Sequence, residues 1–257
     1  MKKLAIATIA VVLAASEVWA IHGTITTAND SKKGEIKWQP RSKSYLLMYK
    51  KGKTDVSAEY PIGDVVTLDI PVPPGYEKAV EMVERGNGNA AIAPLTKIVQ
   101  EYKMLSWDKP AGRYLVEAYI AAGQAQKAYD TAMGIIGEDK AAAWSGDLAP
   151  AYWQALLKLG KIPQLENCLK KAASSGDRAS SANALVMRGD MLIAAGGDSQ
   201  DVYRQALTDA YLRVALMYND EPCKEARKTA MNKAAFCFEK LGMAARAEGM
   251  RTQAKAL

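Results

Sequence analysis

The sequence predicts an α+β chain: a small antiparallel β barrel or sheet, followed by an all-α solenoid of helical hairpins. Three observations predict it. Pro71, Pro73, Pro74 and Gly75 form a breaker cluster that neither a helix nor a central strand tolerates. Before the cluster, β-branched and aromatic residues recur in short runs. After it, Ala, Leu, Lys, Glu, Met and Gln dominate over a long window, as intrinsic helix preference requires, and glycines punctuate the chain at nearly constant intervals.

Residues 1–20 read as a signal peptide. Lys2 and Lys3 precede Leu4 to Ala15, an uncharged and mostly apolar run that is too short to span a bilayer. Val18-Trp19-Ala20 then offers a cleavage site that leaves Ile21 as the new N-terminus. The reading places the chain in the periplasm of a Gram-negative bacterium or outside the cell. No Cys follows the apolar run, which argues against a lipoprotein, and no later stretch is apolar enough to form a transmembrane segment.

Residues 21–70 form the β domain. Five runs suit strands: Ile21 to Thr26, Gly34 to Trp38, Tyr45 to Lys50, Thr54 to Tyr60 and Val65 to Ile70. Their connections carry turn residues at Asn29-Asp30, Gln39-Pro40 and Lys51-Gly52-Lys53, the last suited to a tight hairpin. Residues 71–75 are the linker.

Residues 76–257 form the helical domain, in about five hairpins. Gly86, Gly123, Gly160, Gly196 and Gly242 each sit where one apolar-periodic helix stops and another starts, at intervals of 37, 37, 36 and 46 residues. Glycine suits a helix end because it adopts the left-handed conformation without steric cost. Around Gly123 the order is Leu115-Val116, Tyr119, Gly123, Ala128, Ala132 and Ile135. Around Gly86 it is Met82, Ala91, Leu95 and Ile98, and around Gly242 it is Ala234-Ala235, Phe238 and Ala247. This alternation of large, small, aromatic and turn residues resembles the tetratricopeptide repeat over residues 76–257. The middle units depart from it, with Leu165 and Asp201 at positions where a small residue is expected, and the proline usual near the end of each unit is mostly absent.

Little in the sequence supports catalysis. Hydrophobic residues at 49% and charged residues at 24% describe an ordinary globular chain, and a net charge of +6 is only mildly basic. The sole histidine, His22, lies two residues from the expected mature N-terminus. Activation of a serine or cysteine nucleophile by histidine is therefore not expected. No HExxH, CxxC, Walker loop or dinucleotide fingerprint occurs, and Gly86-Asn87-Gly88-Asn89 reads as an inter-helix turn. Neither a cofactor nor a metal is expected. Cys168, Cys223 and Cys237 are an odd set, better suited to buried helical packing than to a disulfide framework.

Two surfaces remain as binding candidates. The resemblance implies an exported scaffold that captures an envelope protein or peptide on the concave face of its array. Its groove-facing residues would include Arg113, Glu117, Gln154, Asn183, Asp190, Asn232 and Glu239. The alternative is the β domain, where Lys32, Lys33, Lys37, Arg41, Lys43, Lys50, Lys51 and Lys53 stand against Glu35 alone, interleaved with Trp38, Tyr45 and Tyr49. A face built from them would take an anionic polymer, glycan or lipid head group. Export makes nucleic acid an unsuitable ligand.

Overall fold

The computed structural model describes residues 21–257; the expected signal peptide, residues 1–20, lies outside the described residues. The chain divides into two compact units, one of residues up to Val72 together with Glu101–Ser106, the other of Pro73–Gln100 and Trp107–Leu257.

All five expected strands form: β1 (Ile21–Thr27), β2 (Ser31–Gln39), β3 (Ser44–Lys51), β4 (Thr54–Pro61) and β5 (Val65–Asp69). They make one antiparallel sheet in the order β4-β3-β2-β1-β5, so the outcome is an open sheet, with β4 and β5 at its edges. β2 starts three residues earlier than its sequence suggests. Ser31, Lys32 and Lys33 have no strand-like composition, but they pair with Thr26, Ile25 and Thr24 across the Asn29-Asp30 turn. The β3–β4 connection is the expected tight hairpin: Lys51 pairs with Thr54, and Gly52 has φ +66°.

Side chains alternate across the sheet with the strand period of two. Ile25, Ile36, Trp38, Tyr45 and Leu47 point to one face and are buried. That face is closed partly by residues 101–106, where Tyr102 and Leu105 are buried. The Tyr45 hydroxyl donates to the Met104 carbonyl at 3.0 Å, and the Ser106 hydroxyl donates to the Leu68 carbonyl at 3.2 Å. This return of the chain to the sheet has no sequence signal, because Tyr102 and Leu105 fit the apolar period of the helices just as well.

The second unit is built from α1 (Tyr76–Glu84), α2 (Gly88–Glu101), α3 (Asp108–Ala121), α4 (Ala125–Glu138), α5 (Leu148–Lys158), α6 (Ile162–Ser174), α7 (Arg178–Gly196), α8 (Gln200–Ala206), α9 (Leu212–Met217), α10 (Lys224–Lys240) and α11 (Ala244–Ala256). A five-residue π-helical turn, Leu207–Tyr211, joins α8 to α9. These elements make five hairpins. Their first helices pack in sequence, α1 on α3, α3 on α5, α5 on α7 and α7 on α10. The second helices α4, α6 and α9 each pack on the first helix of the following hairpin. Such an order, a layer of first helices backed by second helices, is that of a tetratricopeptide-like array.

The turns repeat almost atom for atom. At Gly86, Gly123, Gly160 and Gly242, all at positive φ, the glycine N–H donates three residues back, and the next N–H donates five residues back. Around Gly123 these bonds run to Ile120 at 3.0 Å and from Gln124 to Tyr119 at 2.8 Å. This is the Schellman pattern, in which a left-handed residue satisfies the last carbonyls of a helix. The second residue after the glycine opens the next helix in each of the four turns.

The fourth turn corrects the expectation at Gly196. Gly196 is the last residue of α7, and Gly197 is the one at positive φ, +68°. The turn glycines therefore fall at intervals of 37, 37, 37 and 45 residues. Gly196 is glycine for a different reason: a Cβ there would lie 2.2 Å from Val202 Cγ2. The last interval is longer because the π turn and the 3-10 turn Glu221–Cys223 precede α10.

Buried alanines set the helix spacing. Ala128, Ala132, Ala155, Ala172, Ala230 and Ala234 are fully buried, and small side chains at a crossing bring helix axes close. Leu148, Leu156, Leu165 and Trp153 fill the spaces between them. Each such leucine contributes roughly 1.5–3 kcal/mol through its burial. Trp153 also donates its indole N–H to the Ala143 carbonyl at 2.8 Å. The three cysteines are buried, as their helical setting predicts, and all three are free. No helix among the described residues is long and apolar enough to cross a membrane.

Candidate functional site

The layer of first helices presents a groove of about 520 Å³, whose walls come from α3, α5, α7 and α10. Six of the seven residues expected on the concave face are brought together along it and its continuation. Arg113, Glu117, Gln154, Asn183 and Asp190 line the first groove. Asn232 lines an adjoining pocket of about 700 Å³ between α5, α7 and α10, which shares Gln154, Asp190, Thr229 and Lys233 with it. Glu239 lines neither; it turns to α11 and pairs with Arg251 at 2.6 Å. Glu239 shares Asn232's face of α10 to within about 20° but stands about 10 Å further along the axis, past Phe236, where the α10 lining of the pocket ends.

Asp190 occupies the boundary between the two cavities, and its side chain is only 9% exposed. A carboxylate that deep must be paired and hydrogen-bonded. Three side chains from three elements do this. Gln154 of α5 donates to Oδ2 at 2.6 Å, the Tyr211 hydroxyl donates to Oδ1 at 2.7 Å, and Lys233 Nζ of α10 lies 2.8 Å from Oδ1. Burial pushes the Tyr211 phenol far above its ordinary pKa, with the Asp190 charge and hydrogen bond adding to the effect.

Tyr211 reaches Asp190 because of two local features. It ends the π turn, a geometry that shifts the facing of a helix by one residue and that recurs at functional sites. It also packs directly on Gly189, where an added Cβ would lie 2.5 Å from the ring. Sequence reasoning singled out Asp190 but missed Tyr211 and Lys233. The available signal was Gly189, a mid-helix glycine beside a predicted groove carboxylate.

At the other end, Arg113 Nε lies 3.0 Å from Glu117 Oε1 one turn along α3. Burial opposes the Arg113 charge, and the Glu117 carboxylate more than offsets that, so the guanidinium is held above its ordinary pKa. Asp177 caps α7, accepting from the backbone N–H groups of Ala179 and Ser180. Asp147 and Glu225 also line the groove, exposed and without an ion-pair partner among the described residues.

The basic residues of the sheet do not form one aromatic-lined face. Trp38 and Tyr45 are buried on the apolar face with their rings 5.0 Å apart. Lys33, Lys37 and Lys50 alternate to the opposite face, where Glu35, Asp55 and Glu59 also stand. Lys32 lies on the side of Ile25, beside Asp30 at 2.5 Å and 5.5 Å from the Tyr49 ring. Arg41 and Lys43 occupy the β2–β3 turn, and Lys51 and Lys53 flank Gly52 in the next. The strand period of two separates what sequence proximity suggests is contiguous. His22 is exposed, 3.5 Å from Glu35. No group of three metal-binding side chains occurs among the described residues.

No protein-family model matches the chain, and no curated protein matches it. Two solved structures are similar, both of a Podosopora anserina protein with nearly identical TPR-like repeats described as a kinesin light chain. Each is 14% identical and covers 70% of this chain, and 91% or 92% of its own, with a TM-score of 0.40. At that level the likeness carries no functional argument. The chain is an antiparallel sheet unit with a tetratricopeptide-like helical repeat unit, and that class rests on the helix order and the turns.

Proposed function

We propose that this protein is an exported, non-enzymatic scaffold of the cell envelope, which captures a partner protein or peptide in the groove across α3, α5, α7 and α10. The single observation that carries the reading is the Asp190 network, in which three elements converge on one deep carboxylate at the centre of the groove. Charge buried at that cost shapes a fixed polar floor, with Gln154 and Asn183 beside it as groups that can meet a peptide main chain. Export rests on the character of residues 1–20, and cleavage after Ala20 would leave all five strands intact.

The test is affinity capture from envelopes of the source cells with the full mature chain, compared with an Asn183→Trp variant that fills the groove. One partner retained by the parent chain and lost by the variant is the expected result. Equal capture by both, or capture through the sheet unit alone, would overturn the reading. Sequencing of the purified protein's N-terminus should begin at Ile21, and a retained Met1 would refute export by cleavage.

A further inference from the structure

The charge of the groove differs in sign from that of the whole protein. The chain carries a net +6, yet the first groove is lined by the carboxylates Glu117, Asp147, Asp177, Asp190 and Glu225 against only Arg113 and Lys233. Both cations are already engaged, Arg113 with Glu117 and Lys233 with Asp190. Asp177 is occupied as a helix cap. What the groove offers a newcomer is therefore negative charge at Asp147 on the α5 side and at Glu225 on the α10 side.

The adjoining pocket has another character. Leu157, Ile193 and Phe236 supply its apolar wall. Phe236 on α10 is 43% exposed although its neighbours Ala234, Ala235, Cys237 and Phe238 are buried. Its ring meets Tyr203 edge-on at 5.8 Å, with Lys240 Nζ 5.8 Å from its centroid. Lys158 at the margin brings a positive charge to this end. The site is thus polarised along its length, acidic in the groove and apolar with a basic margin in the pocket.

Resting on the reading that the groove captures a peptide, we propose that its occupant is an extended protein segment carrying Lys or Arg next to an apolar side chain. The basic groups lie between Asp147 and Glu225, and the apolar group packs on Leu157, Ile193 and Phe236. Charge complementarity selects the partner and speeds its encounter, while burial of the apolar residue against Phe236 supplies the anchor.

The test is selection of a random peptide library on the full mature chain, on Asn183→Trp, and on the double variant Asp147→Lys/Glu225→Lys. Both charge positions are exposed but stand at the N-termini of α5 and α10, where Lys opposes the helix dipole, so the double variant should keep the parent's circular dichroism and melt slightly lower. The expected result is enrichment of peptides with Lys or Arg beside an apolar residue, lost on Asn183→Trp. Such peptides should bind the double variant at least about tenfold more weakly, since two attractions become repulsions, and more weakly as salt rises. Enriched peptides that depend on Asn183 but are acidic or without charge bias would overturn this proposal and leave the capture reading standing. Enrichment indifferent to Asn183→Trp would overturn both.

Discussion

Asp190 and Gly189 are neighbours with opposite tasks. Asp190 gathers Gln154, Tyr211 and Lys233, and Gly189 gives the Tyr211 ring room to come within reach. Replacing Gly189 by Ala should destabilise the protein by about 1–3 kcal/mol, because the ring must move and overpacking is costly. It should also weaken partner capture, although Gly189 itself lines neither cavity, because the displaced Tyr211 ring lines the adjoining pocket. Asp190→Ala should cost about 2 kcal/mol by leaving the buried Tyr211 hydroxyl and the Lys233 ammonium without their acceptor. Denaturant titration of both variants checks the two values. The cysteines give a separate, pH-linked prediction. Burial pushes the Cys223 and Cys237 thiols up to about 11. A thiol whose pKa is raised by folding contributes stability that is complete below its unfolded value and is lost as pH rises through the folded one. The melting temperature should therefore fall between about pH 9 and 11, and all three thiols should resist alkylation near pH 8 until the chain is unfolded. Rapid native labelling of Cys237 would contradict the packing of α10.

At the scale of the element, the turns are the part of this fold most open to test. Gly123 and Gly160 have positive φ and open space around the missing Cβ, so alanine there meets no neighbour and costs only its backbone strain. Gly123→Ala and Gly160→Ala should each lower stability by about 1 kcal/mol, measurable by urea unfolding. An unchanged midpoint would mean that the turn is not held left-handed. These turns were also the most legible feature of the sequence, since a Schellman end needs glycine at one position. The exceptions have physical causes. Gly196 and Gly197 are adjacent, and which of them turns the chain depends on the crowding of Val202 against Gly196, a tertiary contact invisible to spacing. The π turn at Leu207–Tyr211 leaves no compositional mark, so spacing does not bring Tyr211 to Asp190, where Lys233 also binds. In the sheet, the strand positions follow from β-branched and aromatic runs, but the alternation of side chains divides Lys33, Lys37 and Lys50 from Trp38 and Tyr45. Residues close in sequence thus part to opposite faces.

At the scale of the whole molecule, each hairpin of the array buries its apolar surface against the next, as in other solenoids. The outer face of α11 is polar: Glu248, Thr252, Gln253 and Lys255 are exposed, while Ala247 and Ala254 are buried. Truncation after Leu241 should expose Ala230, Ala234 and Phe238, lower the melting temperature and cause self-association, which light scattering would detect. A truncated chain that stayed monomeric and melted with the parent would show that α11 does not protect the apolar face of α10. The unit length of 37 residues, held over three intervals, exceeds the usual tetratricopeptide period of about 34. That regular length aligns α3, α5 and α7 so that Arg113, Gln154 and Asp190 open on one groove. The groove thus belongs to the layer and to no single hairpin.

Site-specific photo-crosslinking asks whether partners are held in the groove of that layer. A photoreactive residue placed at Asn183 in the groove is compared, in the source cells, with one at Lys170 on the exposed surface of α6. A discrete protein adduct is expected from position 183, mapped to a segment bearing Lys or Arg beside an apolar residue, and none from position 170. Adducts of equal yield from both positions, or from position 170 alone, would contradict capture in the groove.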